Sequence, residues 1–222
     1  MRLADQGEKA GITRYATELI GTFFLVLTIG LMAATQSSLA PLAIGSMLTG
    51  LVYMGRRVSG AHYNPAITLA IFFRGKLASS EIMPYVLSQV LGALLASATV
   101  YLVTGSIFPP VPAEGYGVFA VLLVEVLFTF ALALVILNVA TVDSVSDNAY
   151  YGLAIGLTVT AGAFAAGPIS GGALNPAVGV GPILLDVVLN AGSASALWFY
   201  LIGPTFGATV AVWVFNLQHG SE

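Results

Sequence analysis

Six long apolar stretches are the feature that most constrains how this chain can fold. Each is about 20 residues long, the length that a helix needs to cross the hydrocarbon core of a bilayer. Only 8% of the 222 residues are charged, against about 25% in an ordinary soluble domain. Backbone polar groups in lipid must be paired within the protein, and helices achieve this. We therefore predict an all-α membrane protein. The predicted spans lie at about 13–34, 39–58, 80–103, 117–140, 149–166 and 193–215, with a proline-rich loop at 104–116.

Two short apolar inserts interrupt this pattern, and each begins with Asn-Pro-Ala. The motifs consist of Asn64, Pro65 and Ala66, and of Asn175, Pro176 and Ala177. Asparagine is a preferred N-cap and proline fits the first turn of a helix, so both motifs predict helix starts. The apolar runs that follow, 66–73 and 177–189, are about 10 residues each and reach about halfway across a bilayer. We predict two half-helices that meet near the midplane, after non-helical approaches at 59–63 and 167–174.

The two halves of the chain form an internal repeat. Asn64 and Asn175 are separated by half of the 222-residue chain, and Glu18 in the first span corresponds to Glu125 in the fourth. Each half contains three spans and one insert. An odd number of spans makes the second half enter the membrane from the opposite side, which gives an inverted repeat. We predict one transmembrane domain over residues 1–222, with pseudo-repeats at about 13–105 and 117–216.

The basic residues predict the orientation in the membrane. All seven lie in the N-terminal tail or around the first insert: Arg2, Lys9, Arg14, Arg56, Arg57, Arg74 and Lys76. Basic residues favour the cytoplasmic side. We therefore expect a multi-pass protein of the cell inner (plasma) membrane with both termini in the cytoplasm. The first insert would then enter from the cytoplasm and the second from outside.

Two helix N-termini that meet in a membrane predict a pore. Their partial positive charges raise a barrier to cations, including protons. The amides of Asn64 and Asn175 can cap their helices and still offer an N–H to a passing solute. Non-helical backbone at membrane depth is tolerated where it lines a cavity, so carbonyl oxygens should form a polar ladder along one wall. This arrangement suits small uncharged molecules with hydroxyl groups. We predict a passive channel with no cofactor, no metal site and no nucleic-acid partner.

An enzyme and a secondary transporter are the alternatives to a channel from other classes of membrane protein. An enzyme would need an acid–base or nucleophile cluster, whereas the ionisable residues Glu18, His62 and Glu125 lie in separate elements without metal-ligand spacing. A secondary transporter shares inverted repeats and broken helices. It would also need coupling carboxylates near the midplane, where this chain has asparagine. The transporter remains the alternative from another class.

The paired motifs, each preceded by Ser-Gly, resemble those of the major intrinsic protein family, the aquaporins and aquaglyceroporins. The resemblance covers nearly the whole chain and is closest over residues 59–68. It implies six transmembrane helices plus two re-entrant half-helices, and a homotetramer with one pore per subunit. It also implies that Glu18 and Glu125 hold the backbone of the pore loops. His62 would line the cytoplasmic half of the pore.

The resemblance further implies a four-residue selectivity filter outside the Asn-Pro-Ala centre. By distance from the motifs, the filter falls on Ile44, Ala163, Gly172 and Val178. Water-selective members usually place an aromatic residue, a histidine, a small residue and an arginine there. Glycerol conductors keep the arginine and add aromatic residues. Because valine supplies neither the fixed donors nor the charge of arginine, we expect a wider and more apolar filter.

The departure at Val178 leaves several solutes open. Some bacterial aquaglyceroporins that resemble this chain, with valine at that place, let out trivalent arsenic hydroxides, and arsenite is a neutral trihydroxy compound much like glycerol in shape. Metalloid efflux is one hypothesis, and a wide channel for glycerol, urea or similar solutes is another. A water-selective aquaporin and a purely structural junction protein are further alternatives.

Overall fold

A computed structural model describes residues 3–145 and 147–220, and within them the backbone forms α-helices and one short 3₁₀ helix without any β-strand. The α-helices are α1 (Leu3–Ala34), α2 (Ala40–Ser59), α3 (Pro65–Phe73), α4 (Ser79–Thr104), α5 (Val118–Ala140), α6 (Tyr151–Ser170), α7 (Pro176–Asn190) and α8 (Leu197–His219). The 3₁₀ helix, Asp143–Val145, lies between α5 and α6. Six helices are long, whereas α3 and α7 are short.

The long helices have the dimensions of membrane spans. Five of them, in α1, α4, α5, α6 and α8, are long and apolar enough to cross a bilayer. The sixth, α2, has 20 residues, like α6, but carries Arg56 and Arg57 in its last turn. The predicted fold class, an all-α membrane protein with two short helices between spans, is confirmed.

One predicted boundary and one predicted length in the second half are wrong. The approach to the second motif was expected to be non-helical from residue 167, but α6 continues through Pro168 to Ser170. Proline removes one helical hydrogen bond, but transmembrane helices tolerate it because neighbouring groups pair with the freed backbone. The helix stops at Gly171, whose φ of +88° is the left-handed geometry that glycine adopts at little cost. The helix α7 begins and ends within one residue of the predicted run 177–189, but its 15 residues span about 22 Å, more than the predicted half-helix of about 10 residues.

The short helices interlock the two halves of the chain. Within each half the first and third long helices pack together, α1 on α4 and α5 on α8, while α2 packs on α6 across the halves. The half-helix α3 packs mainly on α8, which belongs to the second half, and α7 packs mainly on α4, which belongs to the first. Neither half can therefore bury its short helix without the other.

Glycines allow the long helices to cross closely. A Cβ atom added to Gly45 in α2 would overlap the carbonyl oxygen of Gly156 in α6, and one added to Gly156 would overlap that of Gly45. Gly92 in α4 and Gly207 in α8 similarly face backbone carbonyls of α1 and α5. Small residues at such positions are how membrane helices reach close packing, because lipid provides no hydrophobic force between helices.

The crossing of α2 and α6 yields a stability prediction. Gly45→Ala should lower the free energy of unfolding by roughly 1–3 kcal/mol, because the new methyl group overpacks the crossing. Gly50→Ala makes the same change in the same helix where no atom lies within 4 Å of the new Cβ. It should be neutral or stabilise by up to about 1 kcal/mol. Thermal unfolding in detergent measures both variants, and equal melting temperatures would contradict the close crossing.

Candidate pore

The motif asparagines cap the two short helices. Asn64 is the N-cap of α3, and its Oδ1 accepts a hydrogen bond from the backbone N–H of Ala66 at 2.9 Å. Asn175 caps α7 in the same way and accepts from the N–H of Ala177 at 2.9 Å. In both helices the residue after the cap is proline, which lacks the N–H that would otherwise be unpaired. The local sequence thus explains where both helices begin.

The same two side chains join the half-helices to each other. Nδ2 of Asn64 donates to the carbonyl oxygen of Leu174 at 2.9 Å, and Nδ2 of Asn175 donates to that of Tyr63 at 2.8 Å. The helices α3 and α7 therefore meet N-terminus to N-terminus. An asparagine amide has two N–H donors, so each retains one beyond this cross-link. Both asparagines line one cavity.

The segments that lead into the half-helices have unusual and corresponding backbone conformations. In the first loop Gly60, Ala61 and Tyr63 have positive φ angles, and in the second Gly171, Gly172 and Leu174 do. A left-handed conformation costs a non-glycine residue about 1–2 kcal/mol. The loops persist because their N–H groups are bound from behind by buried carboxylates. Residues 61–63 and 171–174 of the two loops line the larger cavity, where the polar ladder of carbonyl oxygens is predicted to lie.

Glu18 is the carboxylate behind the first loop. It is fully buried. Its Oε1 accepts from the Ser59 hydroxyl at 2.6 Å and from the N–H of His62 at 3.0 Å. Its Oε2 accepts from the N–H of Tyr63 at 2.7 Å and from Nε2 of Gln89 at 2.8 Å. Four donors thus converge on this carboxylate.

Glu125 binds the second loop in the same manner. It is also fully buried. Its Oε1 accepts from the Ser170 hydroxyl at 2.7 Å and the N–H of Ala173 at 3.0 Å, and its Oε2 accepts from the N–H of Leu174 at 2.7 Å. The hydroxyl of Tyr200 donates to the Ser170 carbonyl at 2.6 Å. In the first half Tyr85 makes the equivalent bond to the Ser59 carbonyl at 2.7 Å.

Two cavities lead away from the joined half-helices. The larger measures about 620 Å³ and the smaller about 390 Å³. They share lining residues, among them Ala61, His62 and Ile67. His62 is only 9% exposed and stands at this junction. The asparagine pair therefore lines the larger cavity, and His62 lines both cavities.

All four positions predicted for the filter line the larger cavity. Ile44 comes from α2, Ala163 from α6, Gly172 from the second loop and Val178 from the first turn of α7. Among the described residues, the lining of this cavity includes no Asp, Glu, Lys or Arg. The structure thus brings these four residues to one chamber. Their role in selectivity remains a prediction.

Residues of the α4–α5 loop contribute to the larger cavity, although none was predicted as a site residue. Residues 108–111 line the larger cavity. The ring of Phe108 fills a notch at Gly30, where a Cβ atom would collide with it. Pro110 lies against the second pore loop, and Ala113 donates its N–H to the Ile169 carbonyl at 3.0 Å. The only signal in the sequence was an apolar pair beside prolines in a short loop.

The smaller cavity opens among charged residues. Its lining includes Arg14, Arg56 and Lys76. Arg14 pairs with Glu81 at 3.3 Å and Lys76 with Asp143 at 3.4 Å. The guanidinium of Arg56 lies 4.0 Å from the centre of the Tyr151 ring. Arg14, Arg56 and Lys76 thus gather at one mouth, whereas Arg57 and Arg74 do not line it. Arg2 and the side chain of Lys9 lie outside the described part.

The carboxylate scaffold gives a prediction about folding. Glu125→Gln should destabilise the protein by roughly 2–3 kcal/mol, because an amide nitrogen would face N–H and O–H donors in a buried site. Glu114→Gln, the same change on the exposed α4–α5 loop, serves as the control and should have no effect beyond about 0.5 kcal/mol. Melting temperatures in detergent test the pair, and the scaffold role fails if both variants melt together.

Comparison with known proteins agrees with this geometry. The family model described as "MIP: Major intrinsic protein" matches residues 31–215. Aquaporin NIP1-1 from Zea mays is 36% identical over 231 aligned residues, which cover 96% of this chain and 79% of that protein. A probable aquaporin, AqpM, from Archaeoglobus fulgidus is 33% identical and covers 91% of this chain and 95% of its own length.

A solved structure shares the fold. The X-ray structure of the aquaglyceroporin from Plasmodium falciparum superposes with a TM-score of 0.83, covering 93% of this chain and 96% of that one at 21% identity. At this identity the similarity shows the fold alone. Membership of the family rests on the family model and on the relatives with more than 30% identity. This chain belongs to the major intrinsic protein family, whose members are multi-pass membrane channels for small solutes and not enzymes.

Proposed function

We propose that this protein is a wide, arginine-free channel for small uncharged solutes that bear hydroxyl or amide groups. The solutes would be water, glycerol-like polyols, urea and trivalent metalloid hydroxides such as arsenite. The observation that carries the proposal is the larger cavity. It leads to the asparagine pair and, among the described residues, has no charged side chain in its lining.

The centre of the pore explains the preference for uncharged, hydrogen-bonding solutes. The N-termini of α3 and α7 meet there and present partial positive charge, which repels cations. Asn64 and Asn175 each keep an N–H that can donate to a solute oxygen, while the loop carbonyls accept from its hydroxyl or amino hydrogens. A solute with both donors and acceptors can replace its water partners step by step along this wall.

In this proposal the larger cavity limits the size of the solute that can pass. Ile44, Ala163, Gly172 and Val178 form the filter there. None of the four offers a side-chain donor or a charge. An arginine would narrow the passage and impose a fixed cation. With valine in its place, compact molecules such as glycerol or arsenite fit, and exclusion of ions depends on the half-helix ends.

The alternatives are less well supported by the same geometry. A water-selective aquaporin would need a tighter and more polar filter than these four side chains provide. A secondary transporter would need titratable groups that are exposed in turn to both sides. The buried carboxylates Glu18 and Glu125 instead hold loop N–H groups. Flux that saturates and follows an ion gradient would favour the transporter.

The assembly and orientation complete the proposal. Many large apolar side chains remain exposed on the single chain, such as Leu102, Phe119 and Trp213. They suit contact with lipid and with further copies, and we propose a homotetramer with one pore in each subunit. The basic residues around the smaller cavity support a cytoplasmic location for that mouth. Both termini would then lie in the cytoplasm, with the protein in the inner (plasma) membrane.

Stopped-flow measurements on proteoliposomes test the proposed filter. We expect wild-type protein to pass water, glycerol, urea and arsenite. Val178→Arg should lower glycerol and arsenite permeability by about tenfold, equivalent to a barrier of about 1.4 kcal/mol, because it adds bulk and a fixed charge.

The control separates charge from size. Val178→Leu adds bulk without charge or donors and should lower glycerol and arsenite permeability by less than about threefold. If the arginine variant passes glycerol and arsenite as the wild type does, Val178 is not part of the filter. A wild type that passes water alone would favour the water-selective alternative.

A further inference from the structure

The two pore loops match closely, but the first half contains three buried polar side chains that the second half lacks. Alignment of the motifs and of Tyr85 with Tyr200 places Ala173 opposite His62, Gly179 opposite Thr68 and Pro204 opposite Gln89. The three polar residues form one hydrogen-bonded chain. Gln89 and Thr68 are fully buried, and His62 is 9% exposed.

Gln89 is the fixed end of this chain. Glu18 can only accept hydrogen bonds when ionised, so the Gln89 atom 2.8 Å from Oε2 must be the donor Nε2. The same Nε2 lies 2.9 Å from Oγ1 of Thr68. Both N–H hydrogens of the amide are thereby used, one toward Glu18 and one toward Thr68. Thr68 Oγ1 is consequently an acceptor on the side of Gln89.

The remaining hydrogen bonds of Thr68 decide which ring nitrogen of neutral His62 carries the proton. Oγ1 lies 3.1 Å from the carbonyl oxygen of Asn64 and 3.2 Å from Nδ1 of His62. A hydroxyl has one hydrogen and two lone pairs. If the hydroxyl donates to the Asn64 carbonyl, and Oγ1 accepts from both Nδ1–H of His62 and Nε2 of Gln89, Thr68 makes three hydrogen bonds. If the hydroxyl instead donates to a His62 Nδ1 without a proton, the bond to the Asn64 carbonyl is lost and two remain.

The opposite edge of the imidazole lies beside Gly60. A Cβ atom built on Gly60 would lie 3.0 Å from Nε2 and 3.2 Å from Cδ2 of His62. Gly60 lines the smaller cavity, and His62 lines both cavities. The ring is held from the side by Tyr85, with 5.0 Å between ring centres. The tautomer therefore decides whether Nε2 offers a donor or an acceptor at the junction.

We propose that Thr68, supported by Gln89, is a positioning residue that holds neutral His62 as its Nδ1–H tautomer, so that Nε2 accepts hydrogen bonds from solute O–H or N–H groups. The inference rests on the proposed pore, because it concerns a solute that passes the asparagine pair. The asparagine amides donate to the solute. An acceptor one step beyond them engages the hydrogens of the same hydroxyl groups, whereas a second donor would not.

The second histidine provides an internal reference. Nδ2 of Asn138 donates to the Leu134 carbonyl at 2.9 Å, so Oδ1 of Asn138 is the acceptor that lies 2.8 Å from Nε2 of His219. His219 should therefore be the Nε2–H tautomer. The chain contains two histidines, and the proposal assigns them opposite tautomers.

Nuclear magnetic resonance of histidine-labelled full-length protein in lipid bilayers tests the assignment. At about pH 8 an unperturbed imidazole is neutral, and the ¹⁵N signals identify the nitrogen that carries the proton. His219→Gln assigns the two sets of signals. We expect His62 with the proton on Nδ1, in about tenfold excess from the additional hydrogen bond. His62 with the proton on Nε2 would overturn the proposal.

Variants of Thr68 test the consequence for solutes. Thr68→Val removes the hydroxyl at nearly constant shape, and we expect the Nδ1–H preference to disappear. Glycerol permeability should fall by about three- to tenfold relative to water permeability. Thr68→Ser keeps the hydroxyl and should therefore keep both the Nδ1–H preference and the glycerol permeability. Thr99→Val, which removes an exposed hydroxyl bonded to its own helix at Leu95, should change neither.

The outcomes separate this inference from the proposed function. If wild-type proteoliposomes pass neither glycerol nor arsenite, the proposed function fails, while the tautomer of His62 is still read by the nuclear magnetic resonance signals. If the wild type conducts glycerol and Thr68→Val leaves either the tautomer or the glycerol-to-water ratio unchanged, the positioning role of Thr68 is wrong.

Discussion

Two buried carboxylates hold the structure of the pore together. Glu18 and Glu125 each bind the N–H groups of a loop that would otherwise be unstable, since several of its residues have left-handed backbone geometry. A carboxylate accepts in several directions at once, so one side chain can fix consecutive N–H groups. These donors are thereby used on the carboxylate side of each loop. The shape of both loops is thus a consequence of where two acids are buried.

The two halves depend on each other through packing and through hydrogen bonds at the centre. Each half-helix packs on a long helix of the opposite half, and each motif asparagine donates to a carbonyl of the opposite loop. The corresponding contacts repeat around the centre, yet the polar chain from Gln89 to His62 is confined to the first half. The scaffold is nearly symmetric, and the chemistry offered to a solute on the two sides of the asparagines is not.

Much of this could be foreseen from the sequence, because the strongest signals are local. Asn-Pro-Ala specifies a cap and a first turn, and apolar runs of about 20 residues specify spans. The end of α6 differs from the prediction because transmembrane helices tolerate proline, so Gly171 and not Pro168 ends the helix. The contribution of residues 108–111 could not be foreseen, because it depends on a notch at Gly30, far away in sequence. The pairing of Gln89 with Thr68 likewise depends on how α4 packs against the first loop.

The cross-link between the asparagines and the opposite carbonyls has a consequence for how such a protein can evolve. Asn64 and Asn175 cap helices, join the halves and face the cavity at once, so a change at either is constrained by three demands together. The proposed filter is constrained differently, since Ile44, Ala163 and Val178 line the larger cavity and offer no side-chain hydrogen bond between the halves. Single substitutions there can therefore alter the lining of the cavity while the hydrogen-bonded centre stays intact.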